Sequence, residues 1–168
     1  MSRVKVAFIQ EQLEFALAET KRVAESAPVE ARLFQPGEGR PTILWLLGHL
    51  GNTMNSVVIR WCLGAEHAFP KELARTFAPD FAGGDPPCTD ASKYPAFDDV
   101  VKLYEAAMRA AISGLDALND DDLDRELSTK LPDPIRAFFP TVGKSLQRMI
   151  SHDGYHRGQM AMLGKIAH

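Results

Sequence analysis

The sequence has few cysteines and no long apolar run. Cys62 and Cys88 are the only cysteines among 168 residues, which is too few for a disulfide framework and predicts a reduced, cytoplasmic setting. The N-terminal segment shows neither a long apolar stretch nor a small-residue cleavage site, so no secretory signal is expected. The most apolar stretch, Ile43 to Leu50, is far too short to span a bilayer. These absences predict a cytoplasmic protein without membrane contact.

An excess of basic residues is also absent. The chain has 19 Lys and Arg against 22 Asp and Glu, which gives a net charge of −3. Binding to phosphates requires Lys and Arg to neutralise them, so this balance argues against a nucleic-acid or anionic-membrane partner. Hydrophobic content of 45% is ordinary for a globular protein. The length and the absence of repeats predict one domain over residues 1–168.

Alternating strand patterns are missing, apart from a weak one at residues 126–131, whereas four long segments have helical periodicity. The first segment has no Gly or Pro before Pro28, and the second ends before Gly64. The fourth segment starts at Thr141, which is a good N-cap residue. The predicted helices span residues 2–26, 41–63, 96–118 and 141–166. Four amphipathic helices predict an all-α fold, a four-helix bundle.

The connection from Ala65 to Pro95 is long and contains five prolines. Such connections are uncommon unless they cross a domain or cover a site. A crossover here would make the second and third helices parallel, in up-down-down-up order, although the sequence does not fix this order. One short helix is expected at residues 71–75.

Two histidines are the most informative feature of the last helix. His152 and His156 are four residues apart, about one helical turn, so both leave the same face. That face also carries Val142, Leu146, Met149, Met160 and Leu163, so the pair is expected to point inward. Burying an imidazole without a partner costs about 1–3 kcal/mol, and a divalent metal would provide the partner.

A third histidine, His49, lies on the semi-polar edge of the second helix. Three histidines with an open coordination position are the arrangement that makes a metal reactive. The alternative is that these are core histidines with ordinary hydrogen bonds. His67 lies in loop-like sequence and is expected to be solvated. His168, the last residue, is expected to be frayed.

Residues near the histidines are further candidates. Asp153 occupies the position of the zincin general base, but its shorter side chain favours accepting a hydrogen bond from a ligand imidazole or another helix. Gln159 is predicted to orient a ligand or substrate, or to bond to another helix. Arg157 is a candidate anchor for an anionic substrate, with a surface ion pair as the commoner outcome. Asn52 is a candidate pocket residue beside His49.

The strings TILWLLGHLGN around His49 and HDGYHRGQM near the C-terminus resemble the DinB/YfiT-like superfamily. The resemblance covers essentially the whole chain and implies a four-helix bundle. It implies His49, His152 and His156 as ligands of a divalent metal, most often nickel or zinc. Characterised members include transferases of low-molecular-weight thiols such as bacillithiol or mycothiol, and a maleylpyruvate isomerase.

We therefore expect a metal-dependent enzyme with a small-molecule substrate, best matched to a low-molecular-weight thiol S-transferase. One alternative is a metal-dependent hydrolase that uses a base such as Asp153. The other is a non-catalytic, metal-binding stress or interaction module. Apolar residues around the second helix also predict a homodimer.

Overall fold

The fold consists of four long helices and one short one. A computed structural model describes residues 2–167 of the chain. Its α-helices are α1 (Val4–Ser26), α2 (Ile43–Met54), α3 (Phe97–Gly114), α4 (Asp133–Phe138) and α5 (Val142–Ile166). The described part of the chain contains no β-strand, so the all-α prediction is confirmed, and residues 126–131 are irregular rather than a strand.

The four long helices pack on one another around a single core. α2 packs on α3 and α5, and α1 packs on the same two helices. Gly51 allows the close approach of α2 to α3, because a Cβ there would lie 3.2 Å from the Cα of Tyr104. This packing is compatible with a four-helix bundle.

The second helix changes its geometry after Met54. Thr42 caps its start, since its side chain accepts a hydrogen bond from the backbone N–H of Trp45 at 3.1 Å. From Asn55 to Cys62 the helix continues as a π-helix, and it ends before Gly64, whose φ of 65° is left-handed. The sequence predicts the length of this helix and its glycine stop, but not its π-helical half.

Apolar side chains of α2 are enclosed within the chain. Every residue of α2 except Thr53 is buried. The surface from which the homodimer is predicted is therefore covered by the chain itself, and the homodimer stays a prediction.

The α2–α3 connection, residues 65–95, folds back onto α2. It contains three short 3₁₀ turns, at Lys71–Leu73, Asp80–Ala82 and Ala91–Lys93; the first lies within the predicted short helix. Phe69 and Phe77 of this connection are buried in the core.

None of the helices within residues 2–167 combines the length and the apolar character needed to cross a bilayer.

Candidate metal centre

Three histidines from two helices bring their Nε2 atoms together. His49 lies on α2, and His152 and His156 lie one turn apart on α5. The Nε2 of His152 is 3.2 Å from that of His49 and 3.0 Å from that of His156. The pair and the third histidine predicted from the sequence therefore form one cluster that could hold a metal ion.

Hydrogen bonds at the far ring nitrogens orient two of these imidazoles. The Nδ1 of His49 lies 3.0 Å from the backbone oxygen of Phe77, and the Nδ1 of His156 lies 2.6 Å from Oε1 of Gln159. Both oxygens are acceptors, so each Nδ1 carries the proton and donates it. A neutral imidazole protonated at Nδ1 has its lone pair on Nε2, which is the atom facing the cluster.

The third imidazole, His152, lies between the other two. Three unprotonated nitrogens would repel one another at 3.0–3.2 Å, so a proton on His152 Nε2 or a cation must lie among them. The Nδ1 of His152 is buried and has no hydrogen-bond partner among the described residues. Coordination through Nε2 fits His49 and His156, because metal-ligating histidines usually donate their other ring N–H to an acceptor.

Burial keeps the cluster neutral. It lowers the pKa of His49 to about 4 and that of His152 to about 3. For His152, the nearby His156 lowers the pKa further. Burial also lowers the pKa of His156, against the opposing effect of the Gln159 hydrogen bond. Metal coordination needs the neutral imidazole, so at neutral pH no ligand has to lose a charge before binding.

Gly48, the residue before His49, makes room for the contact that holds the His49 ring. A Cβ on Gly48 would lie 2.3 Å from the ring of Phe77, so only glycine leaves space for that ring. The buried ring brings the Phe77 carbonyl within hydrogen-bond distance of His49. The indole of Trp45 stacks on the imidazole of His49, with ring centroids 4.8 Å apart and planes 8° from parallel. Neither aromatic residue was predicted from the sequence, although a glycine directly before His49 could have indicated a group packed closely beside it.

One face of α2 binds the α2–α3 connection in three places. Besides the His49 bond, the indole Nε1 of Trp45 donates to the Thr76 carbonyl and Nδ2 of Asn52 donates to the Ala74 carbonyl, both at 2.9 Å. Asn52, a predicted pocket residue, therefore uses its amide N–H to hold the connection.

Asp153 faces other helices. Its Oδ1 accepts a hydrogen bond from the Thr20 hydroxyl of α1 at 2.6 Å, and its Oδ2 accepts one from the Tyr104 phenol of α3 at 2.8 Å. Burial raises the pKa of its carboxyl group, while these two hydrogen bonds act in the opposite direction. Asp153 was predicted either to accept a hydrogen bond or to act as a general base. Its contacts match the first role, with other helices as the donors.

Of the remaining candidates, Arg157 lies beside α1 and Gln159 lies at the cluster. Nη1 of Arg157 is 3.6 Å from Asp153 Oδ1, and its guanidinium lies 5.6 Å from the ring centroid of Phe15 on α1. These contacts place the guanidinium beside α1. Gln159, in contrast, contacts His156 of the cluster directly.

His67 and the buried Cys62 do not join the cluster. His67 is exposed, as predicted, and its Nδ1 accepts a hydrogen bond from Asn55 at 2.9 Å. His168 lies outside the described residues. Cys62 is fully buried, and burial raises the pKa of its thiol to about 12.

A protein-family model matches most of the chain. No curated protein matches the chain. The family model of the DinB superfamily matches residues 12–160, a range that includes α2, α3 and all three histidines of the cluster. The chain belongs to the DinB superfamily.

Proposed function

We propose that this protein is a metal-dependent enzyme that transfers low-molecular-weight thiols to small electrophiles, with nickel or zinc as its metal. The observation that carries the proposal is the convergence of the Nε2 atoms of His49, His152 and His156, two of them with the lone pair directed inward. Membership of the DinB superfamily supports the same site.

The ligand number supports an enzyme rather than a closed structural site. Among residues 2–167 the cluster contains three histidines and no Cys, Asp or Glu. Structural zinc sites take four protein ligands, whereas three ligands leave a position for water or substrate. His152 and His156 are only partly buried, which supports access from solvent. Imidazole nitrogen suits both zinc and nickel.

The chemistry follows from such an open position. A divalent cation held by the three histidines would supply Lewis acidity and lower the pKa of a bound thiol. The three imidazoles stay neutral, and those of His49 and His156 keep fixed orientations through the Phe77 and Gln159 hydrogen bonds. In the transfer, a carbon–sulfur bond forms and the bond to the leaving group breaks, with the thiol proton passing to solvent or to the leaving group.

Two alternatives come from other functional classes. A hydrolase requires a base, and Asp153, the candidate base, is engaged by Thr20 and Tyr104. This engagement favours the transferase over the hydrolase. A non-catalytic metal-binding module would hold the same ion without turnover, so activity measurements separate it from both enzymes.

The first experiment measures metal content. We expect one ion per wild-type chain after loading with nickel or zinc, and a strong loss in His49→Ala, His152→Ala and His156→Ala variants. His67→Ala is the matched control, because His67 is exposed and outside the cluster. Unchanged metal content in all three cluster variants would reject the site.

The second experiment measures reactivity. The metal-loaded protein is assayed for conjugation of bacillithiol, mycothiol and other small thiols to an electrophile, and in parallel for ester and amide hydrolysis. Thiol consumption that requires the metal supports the transferase. Hydrolysis without thiol conjugation supports the hydrolase, and inactivity in both assays with full metal binding supports the non-catalytic module.

We also infer the up-down-down-up helix order. Two contacts support it: Gly51 of α2 lies against Tyr104 of α3, and farther along both segments Leu63 lies against Gly114. Residue numbers rise together along this contact, as they do between parallel helices.

We propose a cytoplasmic homodimer with a small-molecule substrate and no nucleic-acid or membrane partner. Exposed Phe8 and Phe15 on α1 support self-association, and the net charge of −3 supports the exclusion of nucleic acid. Small-angle scattering that gives the mass of one chain would reject the dimer.

A further inference from the structure

The amide group of Gln159 connects a ligand histidine to a surface phenol. Its Oε1 lies 2.6 Å from Nδ1 of His156, which is three residues earlier on α5. Its Nε2 donates a hydrogen bond to the hydroxyl oxygen of Tyr155 at 3.2 Å. With the amide NH₂ directed to Tyr155, the oxygen faces the imidazole.

The orientation of this amide decides which nitrogen of His156 carries the proton. An oxygen facing Nδ1 accepts a proton from it, so the lone pair of the neutral ring lies on Nε2 and points to the cluster. If the amide were reversed, its NH₂ would donate to Nδ1. The ring proton would then lie on Nε2, where it would block coordination.

We propose that Gln159 is a positioning residue that fixes the tautomer and the orientation of His156 for metal binding. This inference rests on the proposed metal site and assigns a role to a side chain that does not itself coordinate.

The three histidines differ in what their Nδ1 atoms contact, and Gln159 is the contact of His156. His49 is held by the backbone carbonyl of Phe77, which no substitution removes. The Nδ1 of His152 has no partner among residues 2–167. Among the Nδ1 partners of the three histidines within residues 2–167, Gln159 is therefore the one side chain, and a substitution can remove it. Losses of about 10–100-fold in metal affinity are typical when such a partner is removed.

The first readout uses metal-free protein. Long-range ¹H–¹⁵N NMR correlations of the histidine rings at neutral pH distinguish the two tautomers. We expect His156 to be protonated at Nδ1 in the wild type and in Gln159→Glu, which keeps an oxygen acceptor. In Gln159→Leu we expect a mixture of tautomers. The matched control is Gln147→Leu, at an exposed glutamine on the same helix.

The second readout is the affinity for Zn²⁺ and Ni²⁺, measured by competition with a chelator. We expect Gln159→Leu to bind about 10–100-fold more weakly, Gln159→Glu to bind at least as tightly as the wild type, and Gln147→Leu to be unchanged. Recovery by Gln159→Glu separates positioning from a general loss of stability, since Gln159→Glu keeps the acceptor oxygen that Gln159→Leu removes.

Two results would overturn the inference: an Nε2-protonated His156 in the wild type, or wild-type tautomer and affinity in Gln159→Leu. If the wild type binds no metal, the proposed function fails, and the tautomer readout in metal-free protein still decides the role of Gln159.

Discussion

The backbone carbonyl of Phe77 accepts the Nδ1–H of His49 at 3.0 Å, and the ring of the same phenylalanine fills the space beside Gly48. One residue of the α2–α3 connection thus packs against α2 and orients a histidine of the cluster. The length of the connection from Ala65 to Pro95 suggested that it could cover a site. Its contacts with the His49 face of α2 come from residues 74–77.

Gly48→Ala is expected to damage this contact. The added Cβ would lie 2.3 Å from the Phe77 ring, so the ring and its carbonyl must shift, at a cost of about 1–3 kcal/mol in the free energy of unfolding. Urea denaturation measures the loss. The control is Gly158→Ala on α5, where a Cβ would meet nothing within 4 Å; it should be neutral or stabilising by up to about 1 kcal/mol. Equal stability of the two variants would contradict the account.

Tyr104→Phe is expected to destabilise the fold without emptying the metal site. It removes the phenol that donates to buried Asp153 at 2.8 Å, and leaving a buried polar group with one partner fewer costs about 1–3 kcal/mol. Thermal or urea unfolding measures the loss, and metal content should stay at the wild-type level. Tyr155→Phe, at an exposed position, serves as the control for stability. Wild-type stability of Tyr104→Phe would argue against a structural role for the Asp153 hydrogen bonds.

The two cysteines should differ in their reactivity with iodoacetamide. Cys62 is fully buried with a pKa of about 12, whereas Cys88 is partly exposed. The thiolate is the nucleophile, so the native protein should take up one label near pH 8 and the urea-unfolded protein two. Mass spectrometry counts the labels. Cys88→Ser should abolish labelling of the native protein; rapid labelling of Cys62 in that variant would show that the core around it opens.

Trp45 should report metal binding through its stacking on His49 at 4.8 Å. The chain has two tryptophans, so a Trp61→Phe variant isolates the Trp45 signal. Ni²⁺, an open-shell ion, should quench this fluorescence in a saturable titration, and addition of a chelator should restore it. The same titration of a Trp61→Phe, His49→Ala double variant should show no saturable quenching. Equal quenching in both proteins would contradict binding at His49.

Local sequence patterns predicted much of the fold and the inward-facing pair His152 and His156. The i, i+4 spacing of His152 and His156 and the apolar face around them depend only on helix periodicity. The helix ends are equally local, because Thr42 and Gly64 act on their own neighbours. The long-range arrangement of His49 beside the pair came from the resemblance to the superfamily rather than from periodicity.

The contacts that orient the ligands were beyond sequence reasoning. The Phe77 carbonyl is a backbone group 28 residues from His49, and any residue type supplies a carbonyl. The partners of Asp153 lie on α1 and α3, 133 and 49 residues away, and only the packing of the helices brings them together. The π-helical half of the second helix was missed because a helical pattern of apolar residues does not distinguish the two geometries over a short segment.

X-ray absorption spectroscopy of the nickel- or zinc-loaded protein tests the central claim most directly, because it identifies the atoms bound to the metal. We predict one ion per chain with three imidazole nitrogens and at least one further light-atom ligand from solvent, and the loss of one imidazole in His156→Ala. A spectrum with four protein ligands, or one unchanged by that substitution, would contradict an open site built from His49, His152 and His156.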